Sequence, residues 1–457
     1  MSNERVQTLL SRAHRVVDDA RAKGADVAEV LTRDGQELSV KVRLGQRELV
    51  EEAGSSALGL RVIKDGRGAI TYTSDVTDNG LALVIADALE LASLSEPDPE
   101  AAPPDPSELM SGPNDDLDLF DPASAKIDGG TAAEAALAGE QAARDFDSKI
   151  TNSDGATYSR TWGATALVTS GGFSGGYEGT YQSLVVSPLA DDEGGKKRNG
   201  FYWDARRHVA KMADPKSVGE EAARRTLAKL GARKVSTCEV PVVFDPDAGR
   251  ALLSLLCSCI SGGAIFRRTS YLAEALNTSI AAKTINIVDD PLIAGAPGSR
   301  PFDGEGLRSR RNPIVEDGVL KTFILDTYSA RKLGMKSTAS AARGIGGRPS
   351  PAATNFHLQP NAEVTADQLI GDVKSGLYVT NMMGFGFNAT TGDFSRGAEG
   401  FWIENGKKTF AVGEITISSN FKDLWQNIDG IADDLDPKTG VACPTFRVRQ
   451  MTVAGSS

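Results

Sequence analysis

At 457 residues, with 40% apolar and 24% charged side chains, the chain is globular in composition and too long for one ordinary core, so two or three domains are expected. A net charge of -11 and a pI near 5.0 exclude a surface built to neutralise nucleic-acid phosphates. No apolar run approaches the roughly 20 residues of a bilayer span, and the start MSNERVQTLL lacks the pattern of a secretory leader, so a cytoplasmic location without membrane contact is the default expectation.

Residues 3–23 place Val6, Leu9, Leu10, Ala13, Val17 and Ala20 on one stripe of an amphipathic helix ended by Gly24, with His14 beside the polar residues as a surface histidine. From Val27 to Thr73 the period changes to two, in VAEVLT, ELSVKVRL, RELVEE, LGLRVI and AITYT. The pairs Asp34-Gly35 and Asp65-Gly66 supply positive φ for tight hairpins, which predicts an antiparallel meander. A helix over 78–93 turns Leu81, Val84, Ile85, Ala88 and Leu91 inward to cover one face of it. The acidic stretch 95–118, with Pro97, Pro99, Pro103, Pro104, Pro106 and Pro113, sustains neither helix nor ladder and is a surface crossing.

An alanine-rich helix is expected over 123–145, followed by strands over 150–190 and 195–208 and a helix over 217–230 ended by Gly231. The basic run Lys196-Lys197-Arg198 directly follows Asp191-Asp192-Glu193 and reads as a solvated hairpin tip. The main boundary falls near residue 232, giving an N-terminal domain (1–232) of antiparallel strands with covering helices and a strand-rich C-terminal domain (233–457).

The C-terminal part opens on a strand, Val240 to Phe244, joined to a helix by Asp245 as N-cap and Pro246 at the first helical position. Leu252, Leu253, Leu255, Leu256 and Ile260 predict a helix buried on most of its circumference, stopped by Gly262-Gly263. Its polar side chains, Ser254, Cys257, Ser258 and Cys259, offer no acid-base chemistry. Beyond it the chain is mostly strand and glycine-rich connection, with one helix over 365–373. Strands and helices without strict alternation indicate an α+β fold whose second half is a large antiparallel sheet or closed barrel with one buried helix.

Most catalytic patterns are absent. Zinc hydrolysis usually shows as two histidines one helical turn apart with a glutamate between them, whereas His14, His208 and His357 lie far apart. The four cysteines, Cys238, Cys257, Cys259 and Cys443, suit a reducing compartment; Cys257 and Cys259 point to different sides of a helix and read as buried fillers. Gly172-Phe173-Ser174-Gly175-Gly176 formally matches a serine-hydrolase elbow, with His208 and His357 as downstream bases, but a strand follows where that elbow needs a helix. Gly344-Ile345-Gly346-Gly347 and Gly384-Phe385-Gly386 precede no helix, and no phosphate-binding loop ending in Lys-Ser or Lys-Thr occurs.

Two segments are dense in glycine and polar residues beside strands: Phe302-Asp303-Gly304-Glu305-Gly306 with Arg308, Arg310 and Arg311, and 391–406, TGDFSRGAEGFWIENG. Glycines allow close backbone approach and exposed strand edges bind extended peptides, although the same residues also serve as turns between barrel strands. With PFDGEGL (301–307), EDGVLKTFILDTYSARKLG (316–334), FRRTSYL (266–272) and PTFRVRQMTVAG (444–455), these segments strongly resemble the PmbA/TldD family over nearly the whole chain.

The resemblance implies a cytoplasmic metallopeptidase formed by two paralogous subunits. In the catalytic, TldD-type subunit, the central helix carries an H-E-x-x-x-H zinc motif. Alignment on the flanking residues puts Ser254, Leu255 and Cys259 at the His, Glu and His positions, a set that cannot bind zinc and activate water together. Cys443 lies too near the closing strand to take the family's further cysteine-ligand role. The chain is thereby similar to the TldE or PmbA-type subunit: no catalytic or metal-binding residue and no cofactor of its own, and a zinc-bearing TldD-like partner in a heterodimer that admits short or unfolded peptides. Asp393, Phe394, Ser395, Arg396, Gly397 and Glu399 are the candidate peptide-binding or cavity-lining residues. The competing expectation is a homodimeric peptide-binding or assembly protein without a protease partner.

Overall fold

The computed structural model describes residues 2–455. Its first half contains α1 (Ser2–Ala22), β1 (Val27–Arg43), β2 (Gln46–Lys64), β3 (Arg67–Thr73), α2 (Asp78–Leu94), α3 (Gly129–Asp145), β4 (Ile150–Thr169), β5 (Ser174–Asp191), β6 (Lys197–Asn199), β7 (Tyr202–Arg206) and α4 (Pro215–Leu227). The strands form one antiparallel sheet in the order β3-β2-β1-β4-β5-β6, with β7 also on β5. Alternation places one set of apolar residues, including Val30, Leu60 and Val62, against α1 and α2. A second set, including Leu38, Val40 and Val186, packs against α3 and α4. The meander is therefore as the period predicts, with one correction.

Asp34-Gly35 is not a turn: β1 runs straight through it, and Gly35 pairs with Gly163 of β4. A Cβ on Gly163 would lie 2.4 Å from the Asp34 carbonyl oxygen, so glycine serves here for close approach of two backbones. The hairpin instead turns at Leu44-Gly45, both at positive φ (51° and 77°). Two helix starts also shift to better caps. The Asp128 carboxylate accepts from the Thr131 N–H at 2.8 Å, so α3 begins at Gly129, and Asp214 caps α4 ahead of Pro215.

The second half comprises β8 (Cys238–Phe244), α5 (Pro246–Cys259), α6 (Gly262–Phe266), α7 (Thr327–Lys332), α8 (Ala366–Gly371), β9 (Ser375–Met383), β10 (Asp393–Glu404), β11 (Lys407–Asn420), α9 (Phe421–Gln426), β12 (Ile428–Ile431) and β13 (Phe446–Ala454), besides shorter strands. Strands pair in the order β11-β10-β9-β8-β13, and β11 also pairs with β13, which closes a five-stranded barrel. All of its pairs are antiparallel except β8 with β9. A further sheet of short strands, Val319–Leu320, Asn312–Glu316, Ile287–Asp289, Phe356–Leu358 and Val441–Ala442, lies beside it. Phe244 and Phe446 stack in the C-terminal core at 5.2 Å between ring centroids, and Trp425 stacks on Phe446 at 6.2 Å.

The helix after β8 departs from expectation in two ways. Only one face of α5 is buried, through Ala248, Leu252, Leu253, Leu256 and Cys259; Ser254, Leu255 and Cys257 are half-buried and Ser258 is exposed. Moreover, Gly262-Gly263 opens a second short helix rather than merely ending the first. The Gly262 N–H donates to the Ile324 carbonyl at 2.8 Å, and a Cβ on Gly262 would meet Ser329 Oγ at 2.3 Å.

Candidate functional site

Asp245 caps α5 as the sequence predicts, and what sequence reasoning missed is the pocket that this cap lines. Asp245 accepts from the N–H groups of Asp247 and Ala248 at 2.9 and 3.0 Å, and burial behind the strand pushes its carboxyl up to about 7. It lines a small pocket with Arg225, Lys229, Tyr378 and Lys408. The available signal was a cap carboxylate directly after the apolar run Val242-Val243-Phe244.

Farther along α5, the three aligned positions have other tasks. Ser254 Oγ donates to the Arg250 carbonyl at 2.8 Å, inside the helix's own ladder. Leu255 packs against the apolar core. Burial pushes the Cys259 thiol up to about 11, partly offset by a hydrogen bond with Ser270, and raises Cys257 to about 12, with Asp289 adding to the shift. A committed hydroxyl, an alkyl group and a single thiol leave at most one usable ligand, which does not fit a zinc ion. Among the described residues, no group of three or more His, Cys, Asp or Glu side chains is placed to hold a metal.

FRRTSYL and the segment around Ile324 meet the C-terminal end of this helix. Ser270 reaches Cys259, and the Tyr271 N–H donates to the Ala389 carbonyl at 2.8 Å, joining FRRTSYL to the loop that leads into β10. Phe387 and Phe394 pack on Phe421 with centroids 4.5 and 5.7 Å apart. Of the candidate peptide contacts, Phe394 is thus core, and Asp393 is bonded by Thr391 at 2.6 Å and Asn420 at 3.0 Å, which hold its carboxyl below the usual range. Glu399 pairs with Lys229 of the preceding helical region at 2.7 Å and accepts from Asn381 at 3.0 Å. Ser395 is exposed, and Arg396 and Gly397 are half-buried. Neither edge of β10 is free: β11 pairs with Asp393 through Glu404, β9 with Gly397 through Glu404, and Gly386 accepts from the Ser395 N–H at 2.8 Å.

PFDGEGL forms a joint between the halves. Phe302 meets Phe173 at 4.8 Å and Tyr177 at 5.5 Å, while buried Asp303 accepts from the N–H groups of Glu305, Leu307 and Ala341. Arg308 pairs with Asp115 in the proline-rich crossing at 3.0 Å.

The histidines do not converge on a serine base as sequence order suggested. His357 is buried, and burial lowers it to about 4; His208 bonds Asp118 at 3.0 Å. It is exposed His14 whose Nε2 lies 2.9 Å from Ser174 Oγ. Ser174 opens β5, so the strand-turn-helix elbow is absent at this serine.

The sequence matches the family models of PmbA/TldA metallopeptidase domain 1 over residues 28–92, the central domain over 122–230 and the C-terminal domain over 237–455. Metalloprotease PmbA of Escherichia coli O157:H7 is 35% identical over 431 residues, covering 94% of this chain and 93% of that protein. The metalloprotease PmbA homolog of Haemophilus influenzae is 33% identical over 450 residues, covering 98% and 97%. A crystal structure from Bacteroides thetaiotaomicron, described as a modulator of DNA gyrase, superimposes with a TM-score of 0.90 at 28% identity over 98% of each chain.

Proposed function

This chain belongs to the PmbA/TldD metallopeptidase family, and on that footing we propose that it is the TldE or PmbA-type, non-catalytic subunit of a heterodimeric metallopeptidase acting on short or unfolded peptides. The observation that carries the reading is the side-chain set on α5: Ser254, Leu255 and Cys259 provide neither the ligands nor the base that metal-assisted hydrolysis requires. Zinc held by a TldD-like partner supplies Lewis-acid activation of water in this scheme. The chain itself supplies walls: Tyr271 and Phe421 tie the loop before β10 to the barrel core, and Ser395, exposed, and Arg396, half-buried, are polar groups near the start of β10. Because the edges of β10 are taken, peptide contact in this region runs through side chains rather than strand addition. The four free cysteines accord with work in the cytoplasm.

Co-purification from the native cell, with metal analysis of each species, tests this reading. The isolated chain is expected to carry no stoichiometric zinc and to cleave no peptide, and activity is expected on addition of a histidine-motif partner. Stoichiometric zinc with peptidase activity in the single chain, or a native complex lacking such a partner, overturns it.

A further inference from the structure

An open groove of about 1060 Å³ lies away from α5, between the start of α1, the end of the proline-rich crossing and strands β4 and β5. The crossing is tied over the sheet by Asn114 Nδ2, which donates to the Gly176 carbonyl at 2.8 Å, and by the Thr180 N–H, which donates to the Leu119 carbonyl at 3.0 Å. On its floor, Glu178 of β5 is only 9% exposed, yet it makes no hydrogen bond or ion pair among the described residues, and its Oε2 is sealed from solvent without a partner. A buried carboxylate without a donor is costly, and native proteins retain few such groups. Burial raises the Glu178 carboxyl, and Arg5 offsets this only in part.

The surroundings show what would satisfy it. Asp115, Asp116 and Asp118 add negative charge, against Arg5 and Lys126. Arg5 is turned elsewhere: its guanidinium stacks on Trp162 at 4.1 Å and reaches Asp34 at 3.6 Å, so it covers one face of that ring and leaves the rest of the ring and Phe120 as apolar lining. Phe120 lies against Trp162 at 6.4 Å, and Trp162 stands two residues from Ala164, the β4 partner of Glu178, so these two rings share the face of the sheet that carries the carboxylate. An aliphatic stem ending in a positive charge matches that sequence of surfaces.

We propose that this groove is a binding site for a cationic side chain of a peptide, a lysine ammonium or arginine guanidinium, with Glu178 as counter-ion and Trp162 and Phe120 as walls for the stem. The volume takes several residues, more than one ammonium group fills. The inference is independent of the metallopeptidase reading, since the chain alone carries every group it uses.

Calorimetric titration of the full chain with N-acetylated, C-amidated Gly-Lys-Gly and Gly-Arg-Gly tests it, with the norleucine analogue as neutral isostere and spermidine as a cation without a peptide. Both basic peptides are expected to bind at least tenfold more tightly than the norleucine peptide. Glu178→Gln, which keeps the shape, is expected to remove at least tenfold of that affinity without lowering the melting temperature, and Trp162→Phe to remove a smaller part. Equal binding of the norleucine peptide, undiminished binding by Glu178→Gln, or spermidine binding without peptide binding overturns the proposal. So does binding that appears only after residues 1–3 are deleted, because the carboxylate would then belong to the chain's own amino terminus.

Discussion

On β1 of the open sheet, Glu29 is fully buried and held by Arg61 at 2.9 Å and Arg343 at 2.8 Å, while the barrel region buries Phe244, Phe446 and Trp425 against aliphatic neighbours. The contrast follows from closure. A ring of five strands satisfies its backbone groups internally, and its core needs only shape. A sheet with free edges must also be fixed against what lies outside it, and Arg343, from the second half of the chain, reaches Glu29 to do so. A buried charge cluster thus supplements the Phe302–Phe173 contact in joining the halves, whereas apolar packing alone makes the barrel.

Two substitutions of comparable size test this division. Phe446→Ala is expected to cost about 3–5 kcal/mol through lost burial and the cavity left behind. Glu29→Gln is expected to cost a similar ~3–5 kcal/mol for a different reason, because two buried guanidinium groups lose their anion. Burial alone would raise the Glu29 carboxyl, but Arg61 and Arg343 together hold it below its usual value. Its contribution is therefore complete above the ordinary carboxylate range and is lost as pH falls through its lowered folded value. Denaturant unfolding across pH should show Glu29→Gln losing this acid-side dependence and Phe446→Ala keeping it. An unchanged stability in Glu29→Gln would mean that this charge cluster does not join the halves.

Glu305, in the same joint, has the opposite sign. Burial, and next the neighbouring Asp303, push it up to about 8 from an ordinary 4.5, although Thr327 donates to it through N–H and hydroxyl at 2.9 and 2.7 Å. The folded state holds a proton there that the unfolded state releases, so stability should fall as pH rises from 4.5 toward about 8. One proton sets the slope at no more than about 1.4 kcal/mol per pH unit. Glu305→Gln should flatten that slope in urea titrations at stepped pH; identical slopes in the two proteins would remove Glu305 as its origin.

Much of this architecture is visible in the alternation and capping of the chain, and the limits are physical. Period two and the helical stripes locate the strands of the sheet and α1, α2 and α5, because those signals are local. Asp34-Gly35 misleads because its turn chemistry is local too, whereas the reason for the glycine is the approach of Gly163 on another strand. The short helices α6, α7 and α9 leave no stripe, since five or six residues hold little more than one period. At the candidate site, the idleness of Ser254, Leu255 and Cys259 has meaning only through the proposed resemblance to a zinc-bearing subunit. The proximity of His14 to Ser174 and the orphaned state of Glu178 arise from long-range packing; for Glu178 the one available hint was a charge at an inward position of the alternating run EGTYQSLVV.

The smallest predicted effect probes the outside of the barrel. Thr365 and Gln368 form a capping box on α8: Thr365 Oγ1 accepts from the Gln368 N–H at 3.2 Å, and Gln368 Oε1 accepts from the Thr365 N–H at 2.8 Å. The helix lays Ile370 over Val243 and Ile403, on the outer surface of strands whose ring is already closed. Thr365→Ala should therefore cost about 1 kcal/mol, the ordinary value of a lost cap, with Thr365→Ser restoring most of it. If Thr365→Ala instead cost as much as Phe446→Ala in thermal or denaturant unfolding, closure of the ring would depend on the helix outside it, and the barrel would be no more self-contained than the open sheet.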